Sequence, residues 1–123
     1  MGIDFDVVLD KGKLQTLAKD IGEDNFFRIY QLFTDETKNR LNQLVSLLVS
    51  SQLENVRKEA HRMSSSVLSF GLLRYGHYLR CIENELHETR SAYLLDMAEK
   101  VQALHAEAIE QLKDYVKKYY PAH

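Results

Sequence analysis

Proline is nearly missing from this chain: its single copy, Pro121, stands at the tail. Glycine is scarce as well, with five in 123 residues. Proline removes an amide and clashes with the preceding turn, and glycine costs backbone entropy, so a chain with so few breakers can run as long helices. Cys81 is alone and closes no internal disulfide, which points to a reducing compartment and to a small apolar residue rather than a reactive thiol. No sign of charge dominates. Sixteen Lys and Arg against 18 Asp and Glu leave a net charge of −2 with no basic run, against nonspecific nucleic-acid binding, which depends on neutralising phosphates. Long apolar runs are missing too: the longest, Leu44 to Val49, is interrupted by Ser46 and is far too short to span a membrane. The acidic stretch from Met1 to Asp10 has neither the basic nor the apolar part of a secretory signal, and position 6 is Asp where a myristoylation motif asks for Ser or Thr. The expectation is a cytoplasmic protein with no membrane or nucleic-acid partner.

What is present is helical periodicity. The length suits a single domain over 1–123, with an ordered core over about 9–119. A first helix is marked by Leu14, Leu17, Ala18 and Ile21, with Gly22 suited to its left-handed stop. Asp24 or Asn25 can cap a second, whose buried row is Phe26, Tyr30, Phe33, Thr37, Leu41, Leu44 and Leu48. Ser51 and Glu54 have capping-box spacing ahead of a third helix with the seam Leu53, Val56, Ala60, Met63, Val67 and Phe70. After Gly71 a fourth follows on Leu72, Tyr75, Leu79, Ile82 and Leu86. A polar break around His87 to Ser91 precedes the last, from Leu94 to Tyr119. Tyr115, Tyr119 and Tyr120 read as packing at its end. Five one-sided helices with short connections predict an all-α fold, an antiparallel four-helix bundle with an additional N-terminal helix.

On the third helix, at about 100° per residue, the apolar seam centres roughly 130° away from His61, so its imidazole points to solvent. Arg57 and Ser65 lie one turn to either side, Lys58, Ser64 and Leu68 flank the same face, and Arg62 sits further round. A neutral imidazole nitrogen is a good nucleophile near neutral pH, and its second nitrogen needs a partner that fixes the tautomer. Arg57, Lys58 and Arg62 can meet the charge of a transferred phosphoryl group. The small Ser64, Ser65 and Ser66 leave room for a second protein, and Leu68 suits a docking contact. Chemistry alone leaves His61 as one of five surface histidines, without a role.

The stretch Ala60-His61-Arg62-Met63-Ser64-Ser65-Ser66-Val67-Leu68-Ser69-Phe70-Gly71 resembles the signature of histidine-containing phosphotransfer (HPt) domains of bacterial two-component phosphorelays. That signature begins Ala-His-x-Leu-Lys-Gly and carries a Gly ten positions after the His, here Gly71. The likeness continues through Leu72 and Tyr75 to Cys81-Ile82-Glu83 and upstream through Leu17, Ile21-Gly22, Phe26, Phe33, Leu41 and Leu44. It implies that His61 is the phosphoacceptor, that Gly71 serves close packing of the hairpin, and that Glu83 stands where it can meet the imidazole. It also implies a partner, the receiver domain of a hybrid sensor kinase or response regulator, that brings the divalent ion, so that this chain needs no cofactor. Two positions depart from the signature. Ser64 replaces the Lys that binds phosphoryl oxygens, and Ser65 replaces a Gly that clears space for the receiver. Arg57 or Lys58 can supply a substitute charge, Arg62 less well by angle, and the Ser65 hydroxyl can bond a phosphoryl oxygen.

Other sites have little support. No Glu stands three before a His, and no His follows His87-Glu88 at zinc-protease spacing, so no metal is expected. No Gly-rich phosphate loop appears, so an autonomous, ATP-binding kinase is not expected. The expected function is that of a phosphorelay intermediate, not an enzyme, working as a monomer. The alternative is a phosphorylation-incompetent adaptor that binds a receiver or kinase, motivated by Ser64.

Overall fold

A computed structural model describes residues 6–86 and 90–122. His87 and His123, and so part of the expected polar break, lie outside the described residues. The helices are α1 (Lys11–Ile21), α2 (Glu23–Val49), α3 (Leu53–Ser69), α4 (Leu73–Glu85) and α5 (Ser91–Tyr119). In the four-helix bundle, α2 and α4 each pack on both α3 and α5, while α1 lies against α2. The α3–α4 hairpin is the most intimate pair. This is the all-α architecture expected, with the extra helix at the N-terminal end.

The predicted seams form the core. Phe26, Phe33, Leu44 and Leu48 of α2 meet Val56, Met63 and Val67 of α3, Tyr75, Leu79 and Ile82 of α4, and Val101 and Leu112 of α5 in one apolar cluster. Burying side chains of this size stabilises by about 1.5–3 kcal/mol each, and that burial holds α3 in place beneath His61. Phe33 stacks on Phe70 with centroids 4.2 Å apart, and Phe26 meets Tyr120 at 5.1 Å. Tyr115 is buried against Tyr119 and Tyr120, so the terminal tyrosines do close this end of the bundle. Within the core, the Tyr75 hydroxyl lies 3.3 Å from His105 Nδ1. Burial, helped by the charge of Lys38, lowers the His105 pKa, and burial raises that of Tyr75.

Two predicted caps are not made. Gly22, at φ +87°, ends α1 as expected, but it is also the N-cap of α2, which places Asp24 and Asn25 inside the first turn. Asn25 there donates back to the Ile21 carbonyl at 2.9 Å. Ser51 adopts φ +57° to reverse the chain, a conformation in which it cannot serve as an N-cap. Gln52 becomes the cap of α3, without a side-chain bond, and Glu54 turns instead to Arg57 at 3.3 Å.

The start of α4 is satisfied by a distant segment that sequence periodicity did not single out. The amides of Leu73 and Arg74 donate to the carbonyls of Val8 and Val7 at 3.0 and 3.1 Å, and the Asp10 amide donates to the Gly71 carbonyl at 2.7 Å. Orphan amides at a helix N-terminus need such acceptors. Asp10 then caps α1, accepting from the Lys13 amide at 3.1 Å. Gly71 is at φ +74°, and a Cβ there would stand 2.8 Å from the Asp10 carbonyl oxygen. The close packing that Gly71 makes at the hairpin is this backbone crossing against the N-terminal segment.

Candidate functional site around His61

Helix–helix packing along the α3–α4 hairpin is set by Gly76, a residue sequence reasoning did not single out. A Cβ on Gly76 would fall 2.3 Å from Leu68 Cδ2, so α4 lies this close to α3 with Leu68 in its present position because that atom is missing. The half-buried Leu68, expected to suit a docking contact, is a packing residue of the hairpin as well as part of its surface. His61 lies seven residues before Leu68, and Glu83 seven after Gly76. Seven residues are close to two turns, so in an antiparallel pair the register repeats and His61 faces Glu83.

The contact is short. His61 Nδ1 and Glu83 Oε2 are 2.6 Å apart, the imidazole largely exposed and the carboxylate mostly covered. An ionised carboxylate can only accept, so in the neutral imidazole this contact puts the hydrogen on Nδ1 and leaves the lone pair on Nε2. The exposed imidazole follows from the angular position of His61 on α3, and the partner is the one that the family likeness suggested.

Around them opens a surface depression of about 460 Å³ lined by Glu54, Arg57, Lys58, His61, Arg62, Glu83 and Asn84. The charges in its wall are not equally available. Arg57 donates to the Leu86 carbonyl at the end of α4 and pairs with Glu54. Arg62 lies 3.8 Å from Glu59, a buried carboxylate that also meets Arg40 of α2 at 3.5 Å. Glu59 stands on the polar side of the α3 pattern, and its burial depends on α2, whose Arg40 meets it. Lys58 is exposed.

Ser64 turns inward, while Ser65 and Ser66 stay exposed. Ser64 is 1% exposed, and its hydroxyl donates to the His61 carbonyl at 2.8 Å. The expectation that Ser64 would line the open face is corrected: α4 covers that side of α3, and the hydroxyl is satisfied within its own helix. The Ser65 hydroxyl, though exposed, also turns to the His61 carbonyl, at 3.4 Å. Among the described residues no three His, Cys, Asp or Glu side chains converge as a metal site. Cys81 sits half-buried, its thiol pKa raised by burial and then by Glu85. No helix among the described residues is long and apolar enough to cross a membrane.

The chain is similar to the phosphorelay protein LuxU of Vibrio cholerae serotype O1 (strain ATCC 39315 / El Tor Inaba N16961), at 33% identity over 63 residues. That match covers 51% of this chain and 56% of LuxU, so the chain spans little more than half the length of the curated relative it matches. No solved structure gives a significant match. A family model described as the Hpt domain matches residues 28–116, from the first turns of α2 to near the end of α5 and across the whole His61 site. The chain belongs to the Hpt domain family.

Proposed function

We propose that the protein is a phosphorelay intermediate in two-component signalling, with His61 as its phosphoacceptor. The observation that carries this is the 2.6 Å bond from His61 Nδ1 to Glu83, which leaves Nε2 as the free nitrogen of an exposed imidazole. The Nε2 lone pair attacks the phosphorus of an aspartyl phosphate on a receiver domain. The N–P bond forms, the P–O bond to the aspartate breaks, and the carboxylate leaves with the electron pair. No proton has to move. The Nδ1 hydrogen stays on the ring, which becomes cationic, and Glu83 neutralises it at short range. The aspartate of a response regulator reverses the step. Helix α3 supplies a fixed platform, so the contribution of the fold is positioning and charge, the main needs of phosphoryl transfer. In this reading the divalent ion belongs to the receiver, the chain binds no ATP, and it works as a monomer in the cytoplasm between two receivers.

The test is incubation of the full chain with a receiver domain carrying labelled aspartyl phosphate. Acid-labile, base-stable label is expected on the wild type and none on His61→Gln. A donor that binds the wild type without labelling it would leave the adaptor reading, which the loss of a lysine at Ser64 favours.

A further inference from the structure

The depression beside His61 holds three cations, and the contacts of each separate their roles. Arg57 spans from α3 to the Leu86 carbonyl and is neutralised by Glu54. To reach a phosphoryl group it would have to abandon the end of α4, where the last carbonyls depend on such donors. Arg62 faces Glu59, whose side chain is only 8% exposed. Pulling Arg62 away would leave that buried carboxylate to Arg40 alone, at 3.5 Å, and an under-compensated buried charge is costly. Ser64, at the position where the family signature has its lysine, is inside the hairpin with its hydroxyl committed. Lys58 has none of these ties. It is exposed, has no hydrogen-bond or ion-pair partner among the described residues, and lies three residues before His61 on the same helix, where side chains are neighbours.

The two carboxylates in the wall are already engaged, Glu54 by Arg57 and Glu83 by the imidazole. The Asn84 amide adds an uncharged donor to the wall. Among the described residues, what remains uncompensated is one ammonium with three donors on a flexible stem. We infer that this depression is the seat of the phosphoryl oxygens and that Lys58 is the cation that binds them, reaching forward from the turn before His61 instead of back from the turn after it. The inference rests on the reading of His61 as phosphoacceptor. It moves the charge to the opposite side of the imidazole along α3, so an incoming phosphoryl group is met from the Glu54 end of the helix.

Phosphoramidate tests this without any partner protein: Nε2 forms the N–P bond, the donor's own N–P bond breaks, and ammonia leaves with the electron pair. Phosphohistidine is followed by 31P NMR in the wild type and in Lys58→Arg, Lys58→Ala and Lys58→Glu, with thermal melts as a check on folding. Lys58→Ala should react about threefold to tenfold more slowly, as suits one exposed charge-assisted contact. Lys58→Glu should be slower still, and Lys58→Arg should recover most of the rate. A rate that does not follow the charge at position 58 while His61 still takes the phosphoryl group overturns the seat alone. A wild type that forms no phosphohistidine at His61 overturns the relay reading and the seat together.

Discussion

The two ends of the α3–α4 hairpin are held by different kinds of interaction. At the turn, backbone meets backbone: Asp10 and Gly71, Val8 and Leu73, and Val7 and Arg74 are joined by main-chain hydrogen bonds. The N-terminal segment is held further by Arg74, which donates to the Asp6 carbonyl at 2.9 Å and grips Glu107 of α5 at 2.9 and 3.0 Å. At the open end the links are side chains, His61 to Glu83 and Arg57 to the Leu86 carbonyl. Main-chain bonds fix geometry whatever the side chains are, whereas side-chain links last only as long as the residues that make them are kept. The first end supports the fold and the second supports the chemistry, and substitutions should divide along that line.

The largest expected effect on stability is at the turn. Gly71→Ala combines positive φ with a Cβ at 2.8 Å from a backbone oxygen, and should destabilise by about 2–3 kcal/mol. A urea midpoint equal to that of the wild type would break the claim that this crossing anchors the hairpin. The molecules that remain folded should still accept phosphoryl groups, which separates the two ends. Next is Glu83→Ala, which removes the acceptor of the Nδ1 hydrogen. Transfer to His61 should fall about tenfold or more, from the loss of a short charge-assisted bond and of the carboxylate that balances the ring. Melting should hardly change, because the pair is partly solvated. A large fall in melting temperature would make Glu83 a structural tie and blur the comparison. The smallest effect belongs to Ser64→Ala. Its hydroxyl serves only a local helix carbonyl, so the transfer rate should stay within about twofold and stability within about 0.5 kcal/mol. A tenfold slower transfer would put Ser64 back at the phosphoryl group.

Much of this was legible in one dimension. The seams on α2 and α3 came from spacing alone, as did the exposed side of His61. Legibility failed where a distant segment took part. The caps were misplaced because Gly22 serves two helices at once and Ser51 is used for the reversal. Gly71 is marked in the sequence as a signature position, whereas the close contact at Gly76 is visible only once Leu68 is set against it. Ser64 looked open because an angle on one helix does not say where the next helix lies.

Arg57 and Lys58 make the same point within the site. They are adjacent cations, and sequence reasoning offered both as substitutes for the missing lysine. Sequence by itself determined the helices, their apolar faces and a histidine kept out of the core, because those follow from a 3.6-residue period within one segment. The tertiary structure decided which cation is occupied and which has no partner among the described residues, that Glu83 meets Nδ1, and that Glu59 and Ser64 are covered. Each of these depends on the distance between residues far apart in the chain, set by how closely one helix packs on the next.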